Sequence, residues 1–295
     1  MRIGRAVVLA FIAVGVSGSL SAQPSGLSPV IYADPPRNAE HPAAMTVLHI
    51  PSGDVEINGI AYTAAGAGPH PAMLLLHGYP GNEKNLDLAQ AVRRAGWTVV
   101  TINYRGSWGS PGNFSFAGNL DDAAAALAYL RDPANAETLG IDPARIVLAG
   151  HSMGGWVTAM TAERDHDLAG AILISAPNMG AVGRIPRDRL IGLTSTSMES
   201  LAGVSAESMA DELAGHADAL DWTPAAAALA GTPMLILSAE DGLAPMTDAL
   251  SGAVRGAGGA EVTDVHVDTD HSWSDSRIRL ESEVIGWLAG LSRGE

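Results

Sequence analysis

The chain contains no cysteine, which excludes disulfides, thiolate metal sites, a cysteine nucleophile and an acylated cysteine anchor. It is also short of positive charge: 17 Lys and Arg stand against 32 Asp and Glu, a formal net charge of −15. Such a balance repels polyanions, so nucleic acid and anionic membrane surfaces are poor partners. The N-terminal apolar run, Ala6 to Val16, is too short for a permanent bilayer anchor. It follows Arg2 and Arg5 and gives way to the small residues around Gly18-Ser19-Leu20-Ser21-Ala22, the plan of a secretory signal peptide. Residues 1–22 therefore read as a leader cut near Ala22, and the mature protein as exported, periplasmic or secreted. Losing the two arginines leaves the mature chain more acidic still.

Residues 23–44 are rich in proline and aperiodic, the mark of a linker or an arm laid on the surface. Residues 45–295 are long enough for one large α/β domain. Met45–Ile50 and Asp54–Tyr62 read as a hairpin around Pro51-Ser52-Gly53. Beyond them, short apolar runs alternate with helical periods: strands at 72–76, 97–103, 145–149, 170–175, 233–237 and 261–267, and helices near 86–95, 120–131, 154–163 and 280–291. That alternation predicts an eight-stranded, mostly parallel sheet flanked by helices. Residues 178–232 exceed what a crossover needs. They hold two capped helices, one after Ser205 and one with Thr223 as N-cap and Pro224 in its first turn, and form either a small cap over the strand ends or an elaborated crossover.

The stretch Gly150-His151-Ser152-Met153-Gly154 follows the apolar run Arg145–Ala149 and precedes helix-forming sequence. A serine at the apex of a sharp strand-to-helix turn needs glycine on both flanks, and the helix behind it aims N–H groups at an oxyanion formed there. Serine is a poor nucleophile at neutral pH, so a base must take its proton and a third group must orient that base. Strand-like Leu235–Ala239 runs into Glu240-Asp241, and Asp270-His271 follows the last strand. The order is nucleophile, acid, base. His266 alternates within strand sequence and reads as a strand-face histidine. The acidic residues around 264–275 lack the glycine and glutamate of a calcium loop, and Gly256–Gly259 follows a helix rather than a strand, unlike a dinucleotide fingerprint. Neither metal nor cofactor is expected.

These residues resemble the α/β-hydrolase superfamily, from about Val47 to Leu291. The likeness rests on the serine turn, on Leu74-Leu75-Leu76-His77-Gly78-Tyr79-Pro80-Gly81, similar to an oxyanion loop, and on Asn103-Tyr104-Arg105-Gly106-Ser107-Trp108-Gly109-Ser110, similar to the next loop in prolyl-oligopeptidase-like and dienelactone-hydrolase-like members. The resemblance implies an α/β-hydrolase fold with Ser152 as nucleophile, His271 as base, Asp241 as acid and the backbone N–H groups of Tyr79 and Met153 as oxyanion hole. Glu240 is the rival acid, but Asp241 stands four before Pro245 as in the family pattern. His77 and His151 resemble bracing residues. Dienelactone hydrolases proper use cysteine, which this chain lacks.

The reading is an exported serine hydrolase acting on a small-molecule ester through an acyl-enzyme. The alternatives are a serine peptidase acting on short peptides, although residues 23–44 are too few for a propeller, and an inactive binding scaffold. No stable membrane anchor is expected once the leader is cut, and the oligomeric state is not legible.

Overall fold

The computed structural model describes residues 27–259 and 262–291; the leader lies outside them. Eight strands form one sheet: β1 (Ala44–Ser52), β2 (Val55–Thr63), β3 (His70–Leu76), β4 (Thr98–Ile102), β5 (Ile141–His151), β6 (Gly170–Ile174), β7 (Met234–Ala239) and β8 (Val262–Val267). Their order is β1-β2-β4-β3-β5-β6-β7-β8. The β1–β2 and β2–β4 pairings are antiparallel and all others parallel. Every residue of β4, β6 and β7 is buried, because helices cover both faces and leave no strand side for water. Helices Phe116–Arg131, Met153–Ala162 and Ala244–Gly256 pack over Leu74, Leu148, Leu173 and Ile236. Helices Leu86–Arg94 and Arg277–Leu291 cover the opposite face, over Leu75, Val147, Ile172 and Leu235.

The elements differ from the sequence reading where local capping decides. The helix expected from Leu120 begins at Phe116, because the Ser115 hydroxyl accepts from Gly118 N at 2.9 Å. Asp132 and Pro133 open a further helix, Pro133–Leu139, closed by Gly140. The crossover between β7 and β8 carries the helix Ala244–Gly256, with Pro245 in its first turn. Ser205 caps its helix through a reciprocal pair with Ser208. Thr223 is not a cap: Asp221 Oδ1 accepts from Thr223 N at 2.8 Å and from its hydroxyl at 2.6 Å. The Thr223 hydroxyl is thus turned back to the Asp221 carboxylate rather than towards the N–H groups of the following turn.

Two irregular segments are tied down. The described part of the arm contains a short helix, Pro29–Tyr32, whose Ile31 is buried beside Leu88 and Trp97; Arg94 Nε donates to Val30 O at 2.5 Å. Residues 178–232 form four short helices, Met179–Gly183, Arg187–Thr194, Ala206–Gly215 and Ala226–Leu229. They rest on the loops after β3 and β4: Tyr79 Oη donates to Thr194 O at 2.6 Å, Trp108 N to Ser200 O at 3.0 Å and Phe114 N to Ala202 O at 3.0 Å.

The loop after β4 is anchored from below by Asp122, which is fully buried. Its Oδ1 accepts from Ser52 Oγ at 2.7 Å and Arg105 Nε at 2.9 Å, and its Oδ2 from Arg105 N at 2.7 Å. The carboxylate thus joins β1, the loop and the helix that carries it. Removing one partner of a buried ion pair leaves the other uncompensated. Asp122→Ala is expected to lower unfolding free energy by about 3 kcal/mol, measured by urea denaturation with an unchanged denaturant slope.

Candidate active site

Ser152 stands between the end of β5 and the helix Met153–Ala162 with φ 54° and ψ −125°. Such a conformation costs a non-glycine residue roughly 1–3 kcal/mol and persists only where the surroundings enforce it. Here they do. Ser152 N donates to Ile174 O at 2.8 Å, and the turn is too tight for side chains at its flanks: a Cβ on Gly150 would fall on the Gly154 carbonyl, and one on Gly154 would fall on the Leu76 and His77 carbonyls.

The end of β3 closes on the same point. A Cβ on Gly78 would lie 2.8 Å from Ser152 Cβ and 3.4 Å from Ser152 Oγ, so only glycine lets the loop carrying Tyr79 reach the serine. Met153 is the first residue of its helix, and its N–H therefore has no intrahelical acceptor. The Tyr79 N–H also meets no acceptor among the described residues. The Tyr79 hydroxyl is bonded to the Thr194 carbonyl, and burial pushes its pKa up to about 12.

On the other side, Asp241 and His271 meet. Asp241 is almost wholly buried, its Oδ1 accepting from Leu243 N at 2.9 Å and its Oδ2 bonded to His271 Nδ1 at 2.7 Å. With a carboxylate on Nδ1, that nitrogen carries the proton and Nε2 keeps its lone pair. The backbone around His271 is clamped at successive residues. The His271 carbonyl accepts from His151 Nε2 at 2.8 Å and the Ser272 carbonyl from Arg277 Nη1 at 2.8 Å. Trp273, fully buried, donates from its indole to Ser175 Oγ at 3.1 Å. Arg277 is itself held by Asn85 Oδ1 at 2.9 Å and by Asp87.

Of the residues singled out in the sequence, Asp241 and His271 are therefore in direct contact. Ser152 lies beside Gly78 and next to His151, whose ring centroid is 4.8 Å from that of His271. The Ser152 hydroxyl makes no hydrogen bond among the described residues. The rivals Glu240 and His266 pair with each other at 2.9 Å on an exposed surface, and His266 Nδ1 contacts Ser238 Oγ at 2.9 Å. Neither joins the Asp241–His271 pair. The clamps at His151, Arg277 and Trp273 were not legible as a set, since residues 120 apart in the chain meet here. Among the described residues, no group of three His, Cys, Asp or Glu side chains could hold a metal ion, and no helix is long and apolar enough to cross a membrane.

An apolar cavity of about 280 Å³ opens between residues 178–232 and the helix that follows the Asp241 loop. Its walls include Ala181, Trp222, Pro245, Met246 and Ala249.

His77 and His151 are both buried, and burial lowers each pKa to about 4; for His151 the neighbouring His271 adds to the effect. In the unfolded chain both titrate near their ordinary 6.5. Between those values the unfolded state binds more protons, so stability falls as pH drops from about 6.5 towards 4. The expected loss is about 3 kcal/mol for each histidine, read from urea unfolding at stepped pH. His77→Gln should flatten the slope.

A family model described as the alpha/beta hydrolase family matches residues 73–280. An uncharacterized protein of Mycobacterium tuberculosis is 29% identical over 74% of this chain and 78% of its own. The carboxylesterase NlhH of the same organism is 33% identical over 35% of this chain and 32% of its own. Among solved structures, EstE1, a thermostable carboxylesterase cloned from a metagenomic library, superposes with a TM-score of 0.63 at 22% identity, covering 86% of this chain and 90% of its own. That last likeness is one of fold.

Proposed function

Since the chain belongs to the alpha/beta hydrolase family, whose esterase-like relatives include a carboxylesterase, we propose that it is an exported serine hydrolase that cleaves carboxylic esters through an acyl-enzyme. The observation that carries this reading is the 2.7 Å contact between His271 and buried Asp241, set at the same end of the sheet as a serine held at positive φ.

In the proposed reaction Ser152 Oγ attacks the ester carbonyl while His271 Nε2 takes the hydroxyl proton. Asp241 keeps the imidazole in the Nδ1–H tautomer and stabilises the imidazolium. The carbonyl oxygen becomes an oxyanion and is met by the backbone N–H groups of Met153 and Tyr79. The carbon–oxygen ester bond then breaks, and the alcohol departs with the proton from His271. Water repeats the sequence on the acyl-serine, releasing the carboxylic acid and restoring the serine. In an unliganded site the serine–histidine hydrogen bond is commonly open and tightens with substrate, in keeping with the free Ser152 hydroxyl. Residues 178–232, which hydrogen-bond to the loops after β3 and β4, serve as a cap that shapes the site for the acyl or alkyl group. The basic and apolar leader in residues 1–22 supports export.

A fluorophosphonate probe is expected to label the wild-type protein and not Ser152→Ala. Absence of labelling in the wild type overturns the serine-hydrolase reading. His271→Ala and Asp241→Asn should each lower kcat by roughly 10³–10⁴-fold while the proteins stay folded. On a panel of p-nitrophenyl esters and aminoacyl p-nitroanilides the esters should turn over; turnover of the anilides alone replaces the esterase with a peptidase.

A further inference from the structure

His151 sits at the last position of β5, one residue before Ser152, with 4% of its surface exposed. Its ring makes a single polar contact: Nε2 lies 2.8 Å from the His271 carbonyl. A carbonyl only accepts, so Nε2 carries the proton and donates it. Nδ1 is then a buried acceptor, and it has no partner. An unsatisfied buried acceptor is costly, and an apolar side chain of similar volume would avoid that cost. Packing alone therefore gives no reason for a histidine here.

The contact has a specific target. Asp241 fixes the His271 ring through Nδ1 but makes no bond to the His271 backbone. The neighbouring Ser272 carbonyl is held by Arg277, and the His151 bond tethers His271 itself. The two imidazoles stand 4.8 Å apart at 46°, so the His151 face also limits the tilt of the partner ring. The charged groups facing His151 are His271, Arg277 and Asp241. A cationic side chain at position 151 would oppose an imidazolium on His271, whereas a neutral imidazole does not.

We propose that His151 is a positioning residue for the reaction: its Nε2–H tethers the backbone of His271 and so sets the distance and angle at which that imidazole meets Ser152. The inference rests on the serine-hydrolase reading above. Ångström-scale slack in such a pair lowers the rate of the chemical step more than it lowers substrate affinity.

The test compares His151→Leu, which keeps bulk and removes the donor, with His151→Gln, whose amide N–H can reach the same carbonyl. For His151→Leu the expected result is a roughly 10–100-fold lower kcat with KM changed less than about threefold, and a Tm no lower than wild type. His151→Gln should recover most of the lost kcat. Leu as active as wild type, Gln as impaired as Leu, or a loss carried by KM alone overturns the tether. A second readout works without turnover. The downfield Nδ1 proton of His271 in NMR spectra should broaden in the Leu variant and remain sharp in Gln, and an equally sharp signal in both also overturns it. Fluorophosphonate labelling of the wild type separates the two readings: unlabelled wild type removes the serine hydrolase, whereas labelled wild type with an unimpaired Leu variant removes only the tether.

Discussion

The closeness of three backbones at Ser152 is the constraint on which the rest of the molecule depends. The end of β3, the end of β5 and the first turn of the helix after it approach within distances that forbid a Cβ at Gly78 or Gly154. Ordinary side chains there would push the Tyr79 loop away and relax the turn. With hydrogen in their place, the end of β3 lies against Ser152 and the turn between β5 and its helix stays tight. The sheet order β3-β5-β6 does the coarse positioning, and the glycines set the last ångström.

A second principle governs the opposite wall. The chain carries a large excess of acid, yet the carboxylates near the site are individually placed. Asp241 is buried and shares its two oxygens between Leu243 N and His271, while Asp87 engages Arg277, which holds the Ser272 carbonyl. Glu240 is turned outward to His266. Adjacent acids thus have separate partners because successive residues leaving a strand point in different directions. His77 and His151 are kept neutral by burial, so neither places a cation beside the Asp241–His271 pair.

Residues 178–232 connect these walls to the rest of the surface. Their hydrogen bonds to Tyr79, Trp108 and Phe114 join the segment to the same loops that border Ser152. Any shift of the segment is therefore felt through the Tyr79 hydroxyl, and the apolar cavity by Trp222 lies where the segment meets the helix beyond Asp241.

The strand-to-helix turn at Ser152, the two antiparallel strands and the six parallel ones are legible in the sequence. Apolar runs buried on both faces and glycines at a tight turn are local properties, written into neighbouring residues. So is the capping of the helix after Ser205. Thr223 misleads because its partner, Asp221, acts only once the chain has turned, and the helix Ala244–Gly256 is interrupted in the sequence by Gly252 and Gly256, which weaken its helical pattern. The choice of Asp241 over Glu240, by contrast, rests on resemblance at the sequence level; in the fold Asp241 contacts His271 and Glu240 contacts His266. Sequence by itself determined which residue types could do the chemistry and in which order they come, because those follow from side-chain groups and short-range periodicity. Only the tertiary structure decided which of them touch, and that His151 reaches a carbonyl 120 residues away, because such contacts depend on how strands stack and loops close, which no local pattern encodes.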